Sequence, residues 1–134
     1  MPDRDPNVIA LCFEWIKKAD DDLGLARHLI DERSIYLNAV AFHSQQACEK
    51  YLKALLVFYQ QEYPKTHDIA VLLDILATVD INTAEQLSSA DELNPYAVEA
   101  RYPGNLPALD INAAASAVKI AETARDAIYR IINR

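Results

Sequence analysis

A long helical pattern in the middle of the chain carries polar side chains of types that can do chemistry. At about 100° per residue, Gln46, Glu49 and Lys53 share one side of this helix, and Lys50 flanks them. Glu49 and Lys53 are four residues apart, in the order that favours an ion pair. Amide, carboxylate and ammonium groups in one stripe can hold a ligand by hydrogen bonds and opposite charge. These four residues are therefore a candidate ligand site or polar seam.

Two other interpretations of this stripe stay open. On an isolated helix such a stripe is typical of a solvated face. Against that, the rest of the helix is apolar enough to be buried, and Phe42 lies within the stripe with His43 and Gln45 at its margins. The third interpretation is a buried polar network that fixes helix register or a dimer interface.

The segment after this helix contains a histidine with no obvious structural task. Pro64 is expected to end the helix, and Thr66 is expected to cap the next one, with Asp68 in its first turn. That leaves His67 free. It can bond a neighbouring backbone carbonyl, or it can act as a proton donor near neutral pH.

A second candidate segment contains Arg101 and Tyr102, directly before Pro103 and Gly104. The proline and glycine predict an ordered loop. An arginine in such a loop can clamp a carboxylate or a phosphate through two parallel hydrogen bonds. Alternatively, Arg101 pairs with Glu49 or another acid inside the protein. The sequence leaves both open.

Other features predict neither a metal nor a cofactor. Residues 20–22 are three consecutive aspartates, which point about 100° apart on a helix and so favour a solvated acidic turn over a metal site. Cys12 and Cys48 lie among apolar residues and are expected to be buried free thiols. With only two glycines in the chain, no glycine-rich phosphate loop can form.

Helical periodicity dominates the chain and strand-like alternation is nearly absent. The expected fold is an all-α, up-and-down antiparallel bundle of about five helices, forming a single domain over residues 1–134. Pro95 should kink or shorten the fourth helix. The predicted helices run from Asp5 with Pro6 in the first turn; from about Ile35 to Gln61; from Thr66 or Asp68 through Leu76; from Thr83 as N-cap to about Val98; and from Asp110 or Asn112 as N-cap to about Asn133.

Charge and hydropathy restrict the partners. The net charge of −7 argues against broad binding to RNA, although one local basic groove is compatible with it. No apolar run approaches the roughly 18 residues that a bilayer requires, and the N-terminus lacks a signal-peptide core. We therefore expect a cytoplasmic protein without a membrane partner.

Four groups of residues follow one another along the chain: Trp15, Ala19, Asp22, Leu23 and Ala26; Phe42, His43 and residues 46–50 with 52–55; residues 64–68; and Arg101, Tyr102 and Pro103. Their order and spacing resemble the HEPN domain family, named for higher eukaryotes and prokaryotes nucleotide-binding. The resemblance implies a helical bundle that forms homodimers and acts with a minimal nucleotidyltransferase partner, in toxin–antitoxin or defence systems. Some members are ribonucleases, and others are thought to bind nucleotides without catalysis.

The ribonuclease members rely on an arginine followed four to six residues later by a histidine. No arginine of this chain has a histidine at that spacing. The expectation is therefore a non-catalytic HEPN-like module that binds nucleotide in a cleft with His67, Arg101 and the stripe. One alternative is a ribonuclease toxin with an active site rearranged around His67 and Arg101. The other is a purely structural assembly protein.

Overall fold

The computed structural model describes residues 4–31, 36–97 and 109–133, and throughout these ranges the regular structure is helical. The helical bundle predicted from the periodicity is confirmed. Among the described helices, none combines the length and the apolar character needed to cross a membrane. The elements are α1 (Pro6–Asp31), α2 (Leu37–Phe58), α3 (Ile69–Ala77), α4 (Ile81–Gln86), a 3-10 helix (Ser88–Tyr96) and α5 (Ile111–Ile132).

Helix α1 begins as its sequence predicts. The Asp5 carboxylate accepts a hydrogen bond from the Asn7 backbone N–H at 2.8 Å, and Pro6 occupies the first helical position, where no N–H is needed. Trp15 and Ile30 lie at its half-buried edges. The fully buried stripe has three- and four-residue spacing: Cys12, Ile16, Ala19, Leu23 and Ala26.

Helix α2 is the central element, as its apolar circumference predicts. It packs against α1, α3, α5 and the 3-10 helix. It ends at Phe58, before the predicted end at Gln61, because the backbone closes it. Gln60 has a φ of 56°, and the Gln61 N–H donates to the Leu56 carbonyl at 2.9 Å, which is the Schellman arrangement. Pro64 lies beyond this cap.

Two caps in the middle of the chain are formed by aspartates. Of the two predicted starts of α3, Thr66 and Asp68, the structure has Asp68 as the cap: it accepts from the Ala70 N–H at 2.9 Å, while the Thr66 hydroxyl accepts from the Asp68 N–H. Asp80, not Thr83, caps α4, and Thr83 is bonded to it through both its N–H and its hydroxyl. The predicted cap at Thr83 is therefore wrong.

The fourth helix was predicted from Thr83 to about Val98, with a kink or an early end caused by Pro95. An early end is observed, but it comes before the proline: helix α4 ends at Gln86, and the chain continues as the 3-10 helix that contains Pro95. Helix α5 is capped by Asp110, which accepts from the Ala113 N–H at 2.8 Å, so that predicted alternative is confirmed. Its alanines let it pack closely against α2, and the buried ones are Ala114, Ala117, Ala121, Ala124 and Ala127.

Candidate functional site

The centre of the polar stripe on α2 is a buried carboxylate. Glu49 is only 2% exposed, and its Oε2 accepts a hydrogen bond from the Lys53 Nζ at 2.9 Å. The predicted ion pair between them is thus present, and Lys53 is itself 8% exposed. The interpretation of the stripe as a solvated face is therefore wrong for these two residues. A buried charge is tolerated when it is paired and hydrogen-bonded, as it is here.

The second oxygen of this carboxylate connects α2 to the segment before α3. The Nδ1 atom of His67 lies 2.8 Å from the Glu49 Oε1. The His67 side chain is 69% exposed, whereas the carboxylate beside it is almost completely shielded. Because the ring is held at one nitrogen and is open to solvent elsewhere, its Nε2 edge is available to a ligand. The histidine bonds a side chain and not the backbone carbonyl that its sequence position suggests.

A glutamine that the stripe prediction placed at the margin completes this network. Gln45 is fully buried, and its Nε2 donates to the Glu49 Oε1 at 3.4 Å and to the His67 carbonyl at 3.3 Å. Gln46, predicted within the stripe, is half-buried and donates to the Gln45 Oε1 at 2.7 Å. The sequence does contain a signal for the position of Gln45: Gln45, Glu49 and Lys53 follow one another at intervals of four, which places them on one side of the helix. We call Gln45, Glu49, Lys53 and His67 the Glu49 network.

Two aromatic rings close the inner end of this network. The Lys53 Nζ lies 5.3 Å from the centre of the Trp15 ring and 6.0 Å from that of Tyr63. Both distances allow a cation–π attraction, which gains strength where the ammonium group is shielded from water. Burial also raises the pKa of the Tyr63 phenol. Lys53 is therefore held by a carboxylate and two aromatic faces, and little of it is free to contact a ligand.

Lys50 does not join the Glu49 network. Its Nζ donates to the Asp22 Oδ2 at 2.5 Å, and the His43 Nδ1 lies 2.9 Å from the other oxygen of Asp22. This three-residue cluster connects α1 to α2. A ligand-binding role for Lys50 therefore has no support from its position, because an acid on the neighbouring helix already engages its charge.

Asp20 of α1 connects three helices through hydrogen bonds to its carboxylate. Its carboxylate accepts hydrogen bonds from the Tyr51 hydroxyl of α2 and from the Tyr129 hydroxyl of α5, the latter at 2.6 Å. Arg125 lies 3.7 Å away. Burial and the bond to Asp20 raise the pKa of Tyr51. The prediction that residues 20–22 form a solvated turn is thus wrong for Asp20 and Asp22, whose partners come from distant parts of the sequence.

Among the residues that the structure describes, the remaining chemistry-bearing side chains form no metal or reactive-thiol site. Within the described ranges, no three His, Cys, Asp or Glu side chains come close enough together to hold a metal ion. Cys12 and Cys48 are buried free thiols, as predicted. Burial raises the pKa of Cys12 to about 11 and that of Cys48 to about 12, so both stay protonated at neutral pH.

The exposed histidine borders a shallow depression. His67, Asp68, Asn94 and Ala97 line it. Asn94 fixes its geometry, because its Oδ1 accepts from the Ile69 N–H and its Nδ2 donates to the Asp68 Oδ1, both at 2.9 Å. Arg101 and Tyr102, the other predicted site residues, lie outside the described residues.

Comparison with protein families decides the class of this bundle. A family model described as the HEPN domain matches residues 13–132, which is most of the chain. The chain belongs to the HEPN family. The resemblance inferred from its motifs is therefore confirmed. Neither the curated proteins nor the solved structures gave a match.

In this HEPN domain the family assignment and the geometry concern the same residues. The matched range contains the whole Glu49 network, and the family is one of nucleotide-binding and ribonuclease-type modules. Both Glu49 oxygens already carry partners, so this carboxylate is poorly placed to take a proton from a substrate. Within the network, His67 is the member that combines a titratable group with an exposed surface.

Proposed function

We propose that this protein is a non-catalytic HEPN module that binds a nucleotide at the depression beside His67. The observation that supports the proposal is that both oxygens of the buried Glu49 carboxylate have partners within the network, Lys53 at one oxygen and His67 at the other. Such a network orients one exposed imidazole, and the acid and base of the network itself, Glu49 and Lys53, are buried and paired with each other. An oriented ring is suited to bind a phosphate or a base edge, because little ordering entropy is lost on binding.

Arg101 is the proposed second contact to the nucleotide. Ala97 lines the depression with His67, and Arg101 follows four residues later. Since consecutive Cα atoms are 3.8 Å apart, the two Cα atoms are separated by at most about 15 Å. A guanidinium group within this reach supports phosphate recognition by paired hydrogen bonds. Tyr102 belongs to the same proposal as a neighbouring contact.

The assembly part of the proposal rests on the family. We propose that the module forms a homodimer and acts with a minimal nucleotidyltransferase, in a toxin–antitoxin or defence-type system. The Glu49 network is complete within one chain, so a dimer is not required to pair its charges. This leaves the network free for ligand binding while other surfaces serve assembly. A nucleotidyltransferase gene beside this one, and co-purification of the two products as a complex, would support the proposal.

Isothermal titration calorimetry with ATP tests the binding site. We expect saturable binding to the wild-type protein and loss of most of the heat in His67→Ala. His28→Ala is the matched control, because His28 is also an exposed histidine but lies near the end of α1. It should bind as the wild type does. No heat from the wild-type protein, alone or with its nucleotidyltransferase partner, would contradict nucleotide binding.

A ribonuclease is the second candidate function, and one observation favours it. An exposed histidine held by a buried carboxylate can act as a general acid or base. The test is incubation of purified protein with single-stranded and structured RNA. Cleavage by the wild type that is lost in both His67→Ala and Arg101→Ala would establish the ribonuclease and overturn the non-catalytic proposal. Intact RNA would remove this candidate. If RNA stays intact and ATP does not bind, the network serves only structure.

A further inference from the structure

Helices α3 and α4 form a groove that shares no residue with the Glu49 network. On each helix the apolar residues that line the groove are three or four positions apart, so they share one face of that helix. Ala70, Leu73 and Ala77 line it from α3, and Ile81 and Ala84 line it from α4. The alanines leave space between the walls unfilled because their side chains are small. Ile81 is 52% exposed, so the groove presents apolar surface to solvent.

Three carboxylates surround this apolar floor. Asp74 of α3, Glu85 of α4 and Asp91 of the 3-10 helix line the groove, and all three are exposed. Among the described residues, none of the three forms an ion pair or a side-chain hydrogen bond. Among the described residues that line the groove there is no lysine or arginine. The described rim therefore carries three negative charges around an unfilled apolar surface.

The charge and size of the groove restrict its occupant. Three carboxylates repel phosphate groups, which excludes nucleotides, nucleic acids and anionic membrane surfaces. A volume of about 280 Å³ accommodates a few side chains. The stripe from Ala70 to Ala77 extends over about 10 Å, or two helical turns. A short amphipathic helix with apolar anchors one turn apart fits this length.

We propose that this groove docks a basic amphipathic helix of a partner protein, with apolar side chains on the floor and lysines or arginines against Asp74, Glu85 and Asp91. Opposite charges speed association and set orientation, while burial of the apolar side chains supplies affinity. The inference goes beyond the nucleotide site and does not rest on it. A protein that has lost the groove should still bind ATP.

The probe for this groove is a synthetic 14-residue helix with two leucines one turn apart, flanked by lysines. Fluorescence anisotropy measures its binding to the full chain. A peptide of the same composition in scrambled order, which no longer has one apolar face, is the matched peptide control. We expect the amphipathic peptide to bind about tenfold or more tightly than the scrambled one. Equal binding of the two would overturn the proposal, and so would no binding of either.

Protein variants distinguish peptide binding in the groove from attraction by the net charge of the protein. Asp74→Lys with Glu85→Lys should weaken peptide binding about tenfold or more. Glu14→Lys with Asp21→Lys changes the net charge equally on the exposed face of α1 and should leave binding within about twofold. Equal losses in both pairs would show attraction by net charge alone and overturn the proposal. Ala77→Trp, which fills the groove without changing charge, should also weaken binding, with circular dichroism verifying its fold.

Sedimentation velocity of the same variants distinguishes a partner protein from a second copy of this chain. The groove variants should keep the wild-type oligomeric state. If only they dissociate to monomers, the groove is occupied by another copy, and the assignment to a partner protein is overturned.

Discussion

The exposed imidazole of His67 lies 2.8 Å, at its Nδ1, from a buried oxygen of Glu49. This contact joins the centre of α2 to the start of α3, and it is the one place where the Glu49 network reaches the surface. The other oxygen of Glu49 is engaged by Lys53. The buried pair of Glu49 and Lys53 thus holds one exposed group, the His67 ring, in a fixed position.

Removing one member of the buried pair should destabilise the fold. Glu49→Leu leaves the Lys53 ammonium buried without its carboxylate, and we expect the free energy of unfolding to fall by about 3 kcal/mol. Replacing both residues by leucine should cost about 1 kcal/mol or less, because no unpaired charge is left. Urea denaturation measures these values. Glu122→Leu is the control, since its pair with Arg27 is exposed, and it should cost less than about 1 kcal/mol. A Glu49→Leu cost no larger than this would contradict the account.

The two tyrosines on Asp20 should be energetically coupled. Tyr51→Phe and Tyr129→Phe each remove one hydrogen bond to the same carboxylate, and each should cost about 1 kcal/mol. After one is lost, the other is the remaining hydroxyl donor to Asp20, so the double variant should cost more than the sum. A double-mutant cycle by urea denaturation measures the coupling. If the two changes in the free energy of unfolding are strictly additive, the tyrosines are not coupled through Asp20.

Stability should fall above about pH 9 because of the buried thiols. In the folded protein the pKa of Cys12 is about 11 and that of Cys48 about 12, against 9.0 for an unperturbed thiol. The unfolded thiols therefore ionise first, and their contribution to stability is complete below pH 9 and declines as the pH rises toward the folded pKa. Where a thiol is ionised in the unfolded chain but still protonated in the folded protein, the free energy of unfolding should fall by about 1.4 kcal/mol per pH unit.

Urea denaturation between pH 8.5 and 10, under reducing conditions, measures this slope. Cys48→Ala should flatten it, even though the smaller side chain also lowers stability at every pH. An unchanged slope in that variant would contradict the assignment to Cys48.

Gln60 is a position where glycine should stabilise the protein. Its φ of 56° lies in the left-handed region, where a Cβ atom costs about 1 kcal/mol. Gln60→Gly should therefore raise the free energy of unfolding by about 0.5 kcal/mol or more, after the entropy that glycine gains in the unfolded chain. Gln60→Ala retains the Cβ and should change little. Thermal and urea denaturation both test this, and a less stable glycine variant would argue against the cap at the end of α2.

Local signals in the sequence were sufficient for much of the fold. Asp5 with Pro6, and Asp110, start their helices through hydrogen bonds to residues two or three positions away. The Glu49–Lys53 pair likewise depends only on helical spacing. The predicted cap Thr83 is wrong because Asp80, three residues earlier, is an equally suitable residue type, and neighbouring candidates cannot be ranked without the tertiary contacts.

The candidate site depended on contacts between distant residues. The sequence predicts Gln45 at the margin of the stripe, whereas its side chain donates to the carbonyl of His67, 22 residues later. It predicts Lys50 beside Glu49, whereas the acid that Lys50 contacts is Asp22 of α1. A helical wheel gives directions around α2, but it does not say which neighbouring segment faces each direction. The sequence marks His67 as a candidate site residue, but it does not predict the contact of its ring with the Glu49 carboxylate.

The central claim is that a nucleotide is bound at the imidazole that Glu49 orients. The most direct measurement is an NMR titration with ATP that follows the ring signals of His67 and, as an internal control, those of His28. The account predicts saturable shifts of the His67 ring with no comparable change at His28. Saturable ATP binding that leaves the His67 signals unmoved would contradict it, and so would no binding at all.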